Sequence, residues 1–239
     1  MPPKFMSEFQ NKTIKLKEDT TEISHPESLS VWGLAWPSIL NNLLFASVGL
    51  VAIKAVGNLG AGAVAAVGTG QRIFWVFQAL LMAVMAGTTA LVARAIGSGN
   101  HLEAAQVTRA SIGICFILSL LTASILWVSA DQVIGMFGLD IETKNLAVTY
   151  LLIIISFTPV FSISMVISTA LRAAGDVKTP LYIGVLTNIL NIYLLLGLVN
   201  GNYGLPKLGI IGAALAGGIT FSIGSFIYLF LFYLLIIKI

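Results

Sequence analysis

Residues 62–93 read GAVAAVGTGQRIFWVFQALLMAVMAGTTALVA, and Arg94 follows. No charged side chain lies between Arg72 and Arg94, and their separation of 22 residues corresponds to about 33 Å of helix at ~1.5 Å per residue. That matches the hydrocarbon core of a bilayer, roughly 30 Å thick. A water-soluble protein would have to enclose so long an apolar stretch in a core.

Outward from this stretch the pattern repeats. Charge-free runs bounded by charges, glycines or prolines fall at about 32–54, 62–93, 108–130, 145–171, 180–200 and 208–237. The composition agrees: 57% of the 239 residues are hydrophobic and 10% charged, and the mean hydropathy is +0.96, outside the usual balance of soluble domains. The expectation is an all-α membrane protein with six transmembrane helices in residues 30–239, preceded by a cytosolic tail, residues 1–29. The tail mixes Lys4, Lys12, Lys15 and Lys17 with Glu8, Glu18, Asp19, Glu22 and Glu27 and has no apolar core, so no cleaved targeting segment is expected.

Six crossings put both termini on one side, and basic residues concentrate on the cytoplasmic side of a membrane. With the termini inside, nine basic residues fall within (Lys4, Lys12, Lys15, Lys17, Arg94, Arg109, Arg172, Lys178, Lys238) and three outside (Lys54, Lys144, Lys207). This predicts a multi-pass protein of the plasma or inner membrane with both termini cytoplasmic. Trp32, Trp36 and Trp127 read as interfacial anchors. Small residues crowd the second span (Gly62, Ala63, Ala66, Gly70) and the sixth (Gly209, Gly212, Gly218), the usual mark of close helix contact.

Function classes fall away by missing parts. The net charge of +3 comes from Lys and Arg outside the spans, so no nucleic-acid partner is expected. Cys115 is the only cysteine, His25 and His101 lie outside the spans, and all ten acidic residues lie in the tail or in loops. No catalytic constellation and no metal site is therefore expected, and the chain does not read as an enzyme. Polar side chains within the spans are the informative remainder, because an unpaired polar group in hydrocarbon costs several kcal/mol. Asn42, Gln71, Arg72, Asn188 and Asn191 are the candidates for a substrate cavity, with Phe74, Trp75 and Phe77 offering apolar contact. Arg72 can also snorkel to the interface, and Asn188 and Asn191, three apart on one helix face, can instead bond to a neighbouring helix. Pro37 and Pro159 fall within spans and can kink them.

Read together, these segments resemble the multidrug and toxic compound extrusion (MATE) family. The residues that carry the likeness are LAWPSILNNL (34–43) through VGNLG (56–60) and AAVG (65–68), then GTTALVARAIGSGN (87–100), LRAAGDVKTP (171–180) and GLPKLGIIGAA (204–214). Arg172, Gly175, Asp176 and Pro180 match the family's cytoplasmic signature and read as a structural hinge or gate. The resemblance implies one six-helix lobe of a two-lobe transporter, exporting organic, often cationic compounds on a proton or sodium gradient. No other cofactor is implied. It also implies that a second lobe, or a second copy in a homodimer, completes the cleft, since the chain stops at Ile239 where a connection to that lobe would begin. Two positions depart from the family pattern. Its acidic residue in the first span falls on Ala52, and an acidic or amide position late in the fifth span falls on Leu195, so no coupling residue is found in this chain. Alternatives are a lipid-linked saccharide flippase of the same superfamily and a non-transporting membrane subunit or truncated remnant.

Overall fold

The computed structural model describes residues 31–237. The chain divides into two compact units, Met1–Trp36 and Pro37–Ile239. Residues 1–29, including the tail lysines and acids, and Lys238 lie outside the described residues. The described residues form α1 (Val31–Gly57), α2 (Ala61–Gly97), α3 (His101–Gly135), α4 (Ile141–Ser156), α5 (Thr158–Ala173), α6 (Lys178–Asn200) and α7 (Ile210–Ile237).

Four helices, α2, α3, α6 and α7, are each long and apolar enough to cross a bilayer, and α4 and α5 together meet the same measure as a pair bent by 51° at their junction. The fourth expected span, 145–171, is thus divided between two helices. Pro159 lies in the first turn of α5, and its missing N–H interrupts the ladder there. Hydroxyls cover the backbone around the break: Ser162 Oγ donates to the carbonyl of Pro159 at 2.7 Å, and Ser225 Oγ of α7 to that of Val160 at 2.6 Å. Pro37 lies inside α1, which contributes an apolar segment, Asn42–Gly57, to the lobe.

The helices run past the expected spans because capping carries them into polar surroundings. Asn100 Oδ1 accepts the N–H of Glu103 and its Nδ2 donates to the Glu103 carboxylate, while Arg94 pairs with the same carboxylate at 3.6 Å. Asp140 Oδ2 accepts the N–H of Thr143 at the start of α4, and Lys144 bridges to Asp131 of α3 at 2.8 Å. Of the acids expected in loops, Glu103 and Glu142 lie in first turns and Asp140 caps α4, where carboxylates near N-termini are favoured, while Asp131 lies near the C-terminal end of α3 and is paired with Lys144.

Inside the lobe, α2 packs on α3, α4 and α5, and α7 packs on α4, α5 and α6. The main core joins Ile73 and Phe74 of α2, Leu126 and Ile134 of α3, Leu151 and Ile155 of α4, and Ala214 of α7. Small residues make these approaches possible. A Cβ on Gly62 would stand 2.9 Å from Thr143 Oγ1, one on Gly70 2.6 Å from the Tyr150 ring, and one on Gly212 would strike the carbonyl of Leu198. The outer surface is apolar, with Val128 84% and Phe226 69% exposed, as helices facing lipid require.

Candidate functional site

Along α2 the buried face runs through Ala63, Ala66, Gly70, Ile73, Phe74, Gln78 and Leu81. Gln71 and Arg72 are exposed, as is Trp75, one turn after Gln71. Gln71 interacts with the hydroxyl of Tyr150 on α4. Arg72 meets no carboxylate within 4 Å among the described residues. Asn42 on α1 is likewise exposed. Phe74, expected to offer contact to a ligand, is instead a core residue packed against Phe161, whose ring lies tilted against that of Phe221.

Asn188 and Asn191 are half-buried, and neither side chain forms a hydrogen bond among the described residues. Their helix face continues into Leu195 and Leu198, which pack against Ala55 of α1 and Ala216 of α7. Since α2 and α6 share no packed interface, the structure separates the five candidates into an exposed set (Asn42, Gln71, Arg72) and a half-buried pair (Asn188, Asn191). Ala52 packs against the same apolar cluster as Leu195. The two positions that depart from the family's acidic pattern therefore belong to one apolar patch.

The four residues of the expected gate build the turn between α5 and α6. Gly175 takes φ +90°, which spares a side chain the left-handed penalty. Its N–H bonds to the carbonyl of Arg172, and that of Asp176 to Leu171, closing α5 with a Schellman motif. Asp176 Oδ1 then accepts the N–H groups of Lys178 and Thr179 at 3.1 and 3.0 Å, capping α6, and Pro180 is buried in its first turn. Arg172 and Asp176 form no ion pair. The guanidinium bonds to the hydroxyls of Ser168 and Thr169.

A polar seam runs between α2, α3 and α5, and of its members the sequence singled out Gln78 alone, as a polar residue of the second span. Thr88 bonds to Ser111 at 2.8 Å, Ser119 to Ser162 at 3.4 Å, and the Gln78 amide to the Met165 sulfur. Gln78 is 3% exposed, and its Oε1 has no partner among the described residues. The available signal was the helical spacing of Thr108, Ser111, Cys115, Ser119 and Thr122, which places them on one face of α3. A separate cavity of about 490 Å³ opens where α2, α4 and α7 begin, lined by Leu59, Gly62, Glu142, Thr143, Leu146 and Ile210 among others. None of the predicted substrate residues lines it.

With this geometry in view, the likenesses to known proteins are specific. The MatE family model matches residues 37–196, about two thirds of the chain. The probable multidrug resistance protein NorM of Thermotoga maritima is 33% identical over 193 residues, covering 80% of this chain and 41% of that protein. The probable multidrug resistance protein YoeA of Bacillus subtilis is 30% identical, covering 82% and 42%. Among solved structures, an outward-facing multidrug resistance MATE family transporter of the MOP superfamily resembles the lobe with TM-score 0.76 at 24% identity, covering 82% of this chain and 42% of that one. A MOP superfamily transporter from Pyrococcus furiosus gives the same score. At this identity the structural likeness speaks for the fold alone. The chain spans about two fifths of the length of these curated relatives.

Proposed function

This chain belongs to the MatE family, and on that premise we propose that it forms one lobe of a secondary active exporter of organic, often cationic compounds. The cleft is completed by a second lobe or by a second copy of the chain. The relatives are transporters and multidrug resistance proteins rather than enzymes, and the apolar, multi-pass helices place the chain in a membrane. The proposal further takes that membrane to be the plasma or inner membrane, with both termini cytoplasmic.

The observation that carries the reading is the exposure of Gln71 and Arg72 on an otherwise apolar helix surface. A guanidinium against hydrocarbon is costly, so such a residue belongs at the interface or in a water-filled cleft. Asn42 shares the exposure. Asn188 and Asn191, half-buried on α6, then act from a second wall. With Ala52 and Leu195 in an apolar cluster, neither position offers a carboxylate for coupling to a proton or sodium gradient.

The test is flux of a fluorescent organic cation in sealed proteoliposomes under an imposed proton or sodium gradient. Gradient-dependent export is expected, with crosslinked dimers if two copies complete the cleft. Replacing Arg72 by Leu, or Asn188 and Asn191 together by Leu, lowers flux without lowering the amount of folded protein in the membrane. A folded chain that moves no cation under either gradient, alone or together with a completing lobe, is a non-transporting subunit, and the proposal fails.

A further inference from the structure

The turn from α5 to α6 leaves a cation without a counter-ion. Arg172 lies in the last turn of α5, and its guanidinium is held by two hydroxyls of the same helix: Nη1 donates to Ser168 Oγ at 3.0 Å and Nη2 to Thr169 Oγ1 at 3.3 Å. A guanidinium carries five N–H donors, so most of its hydrogen-bonding capacity stays open. The acid four residues on, Asp176, is engaged elsewhere as the cap of α6. Among the described residues no carboxylate comes within 4 Å of Arg172. Tyr228 of α7 stands close to Ser168 and Arg172, so the guanidinium sits in a notch between α5 and α7.

A second cation lies across the turn. Lys178 opens α6, is exposed, and has no carboxylate partner among the described residues. From it a lane of apolar side chains runs along the same face of α6: Tyr182, Leu186 and Ile189 are 70%, 56% and 62% exposed. Two unpaired cations at the end of an exposed apolar lane have the polarity of a phospholipid, read from headgroup to chain.

We propose that this turn is a seat for an anionic phospholipid, whose phosphate is taken by Arg172 and Lys178 and whose acyl chain lies along Tyr182, Leu186 and Ile189. The planar fork of arginine matches a phosphate in a bidentate way, and Ser168 and Thr169 hold that fork in place. Soluble phosphate offers the same headgroup chemistry but nothing to cover the apolar lane. The assignment is independent of whether the chain transports.

The test is native mass spectrometry of the full chain released from nanodiscs containing equal amounts of phosphatidylglycerol and phosphatidylcholine. Phosphatidylglycerol is retained in preference. Arg172→Gln and Lys178→Gln each weaken that retention roughly fivefold, the worth of one basic residue near an anionic surface, while Arg109→Gln, at another exposed arginine, leaves it unchanged. Arg172→Lys, which keeps the charge but loses the fork, gives an intermediate value. No lipid preference in the unaltered chain overturns the seat, whatever the variants do. An equal loss in Arg109→Gln overturns it too, since retention then follows general surface charge. Inorganic phosphate is added in the third arm, to nanodiscs of phosphatidylcholine alone. If it raises thermal stability through Arg172 as much as phosphatidylglycerol does, the lipid assignment gives way to a soluble anion.

Discussion

The ring of Phe157 occupies the space that a Cβ on Gly218 would fill. Phe157 stands between α4 and α5, and Gly218 lies on α7, so the seventh helix is notched where the fourth crossing bends. Substituting Gly218 by Ala forces ring against methyl, and overpacking of this kind costs about 1–3 kcal/mol. Thermal unfolding in detergent should show that loss, and Phe157→Leu should recover part of it in the Gly218→Ala background. Equal melting of Gly218→Ala and the unaltered chain would mean that the ring is free to leave the notch.

Leu195 is 3% exposed and shares its cluster with Ala55, Val199 and Ala216, with Ala52 packed alongside. A carboxylate introduced by Leu195→Asp would be desolvated and unpaired, at a cost on the order of 3 kcal/mol at neutral pH. Desolvation raises its folded pKa above the unfolded value. The penalty is therefore present above that raised pKa and is relieved as pH falls through it. Melting temperature in the variant should rise from about pH 8 to about pH 5 relative to the unaltered chain. An unchanged difference between the two chains across that range would show that water or a cation reaches the site.

Asp140 behaves with the opposite sign. Hydrogen bonds from Thr143 hold its carboxyl below the ordinary value of 3.8. Its contribution to the start of α4 is accordingly present above the unfolded pKa and is lost as pH falls through the lower folded one. Asp140→Ala should lower the melting temperature at neutral pH, whereas Asp140→Asn, an equally good cap, should leave it nearly unchanged. The gap between the Ala variant and the unaltered chain should close in strong acid, a course that melting curves against pH would follow directly.

Gln78 has a buried carbonyl oxygen with no partner among the described residues. Exchanging it for Leu removes the orphan and, at most, a weak contact to the Met165 sulfur. Stability should stay level or rise by up to about 1 kcal/mol. A clear loss on thermal unfolding would instead reveal a water or another group bonded to that oxygen.

The small glycines of α2 and α7 were readable as contact points, because helices in lipid associate by close packing and small residues permit it. What each glycine meets was not readable. Gly70 faces Tyr150 and Gly218 faces Phe157, pairs that lie far apart in the chain. Gln71 and Gln78 carry the same side chain on the same helix, yet one is exposed and the other buried. Their seven-residue spacing keeps them roughly on one face, so only the neighbours differ. Near Gln78, α5 supplies Met165, and hydropathy along the chain holds no record of that neighbour.

The sequence by itself determined that this is an apolar, helical membrane chain of the MATE kind, because crossing a bilayer is a local demand met by run length and by the charges at each end. It also marked the turn at Gly175 and Asp176, where φ and capping are properties of a few adjacent residues. Tertiary structure alone decided that Phe74 belongs to the core, that Ala52 and Leu195 share one apolar cluster, and that Arg172 is left without an acid. Each depends on which helix packs beside which, and that is settled by contacts between residues remote in the chain.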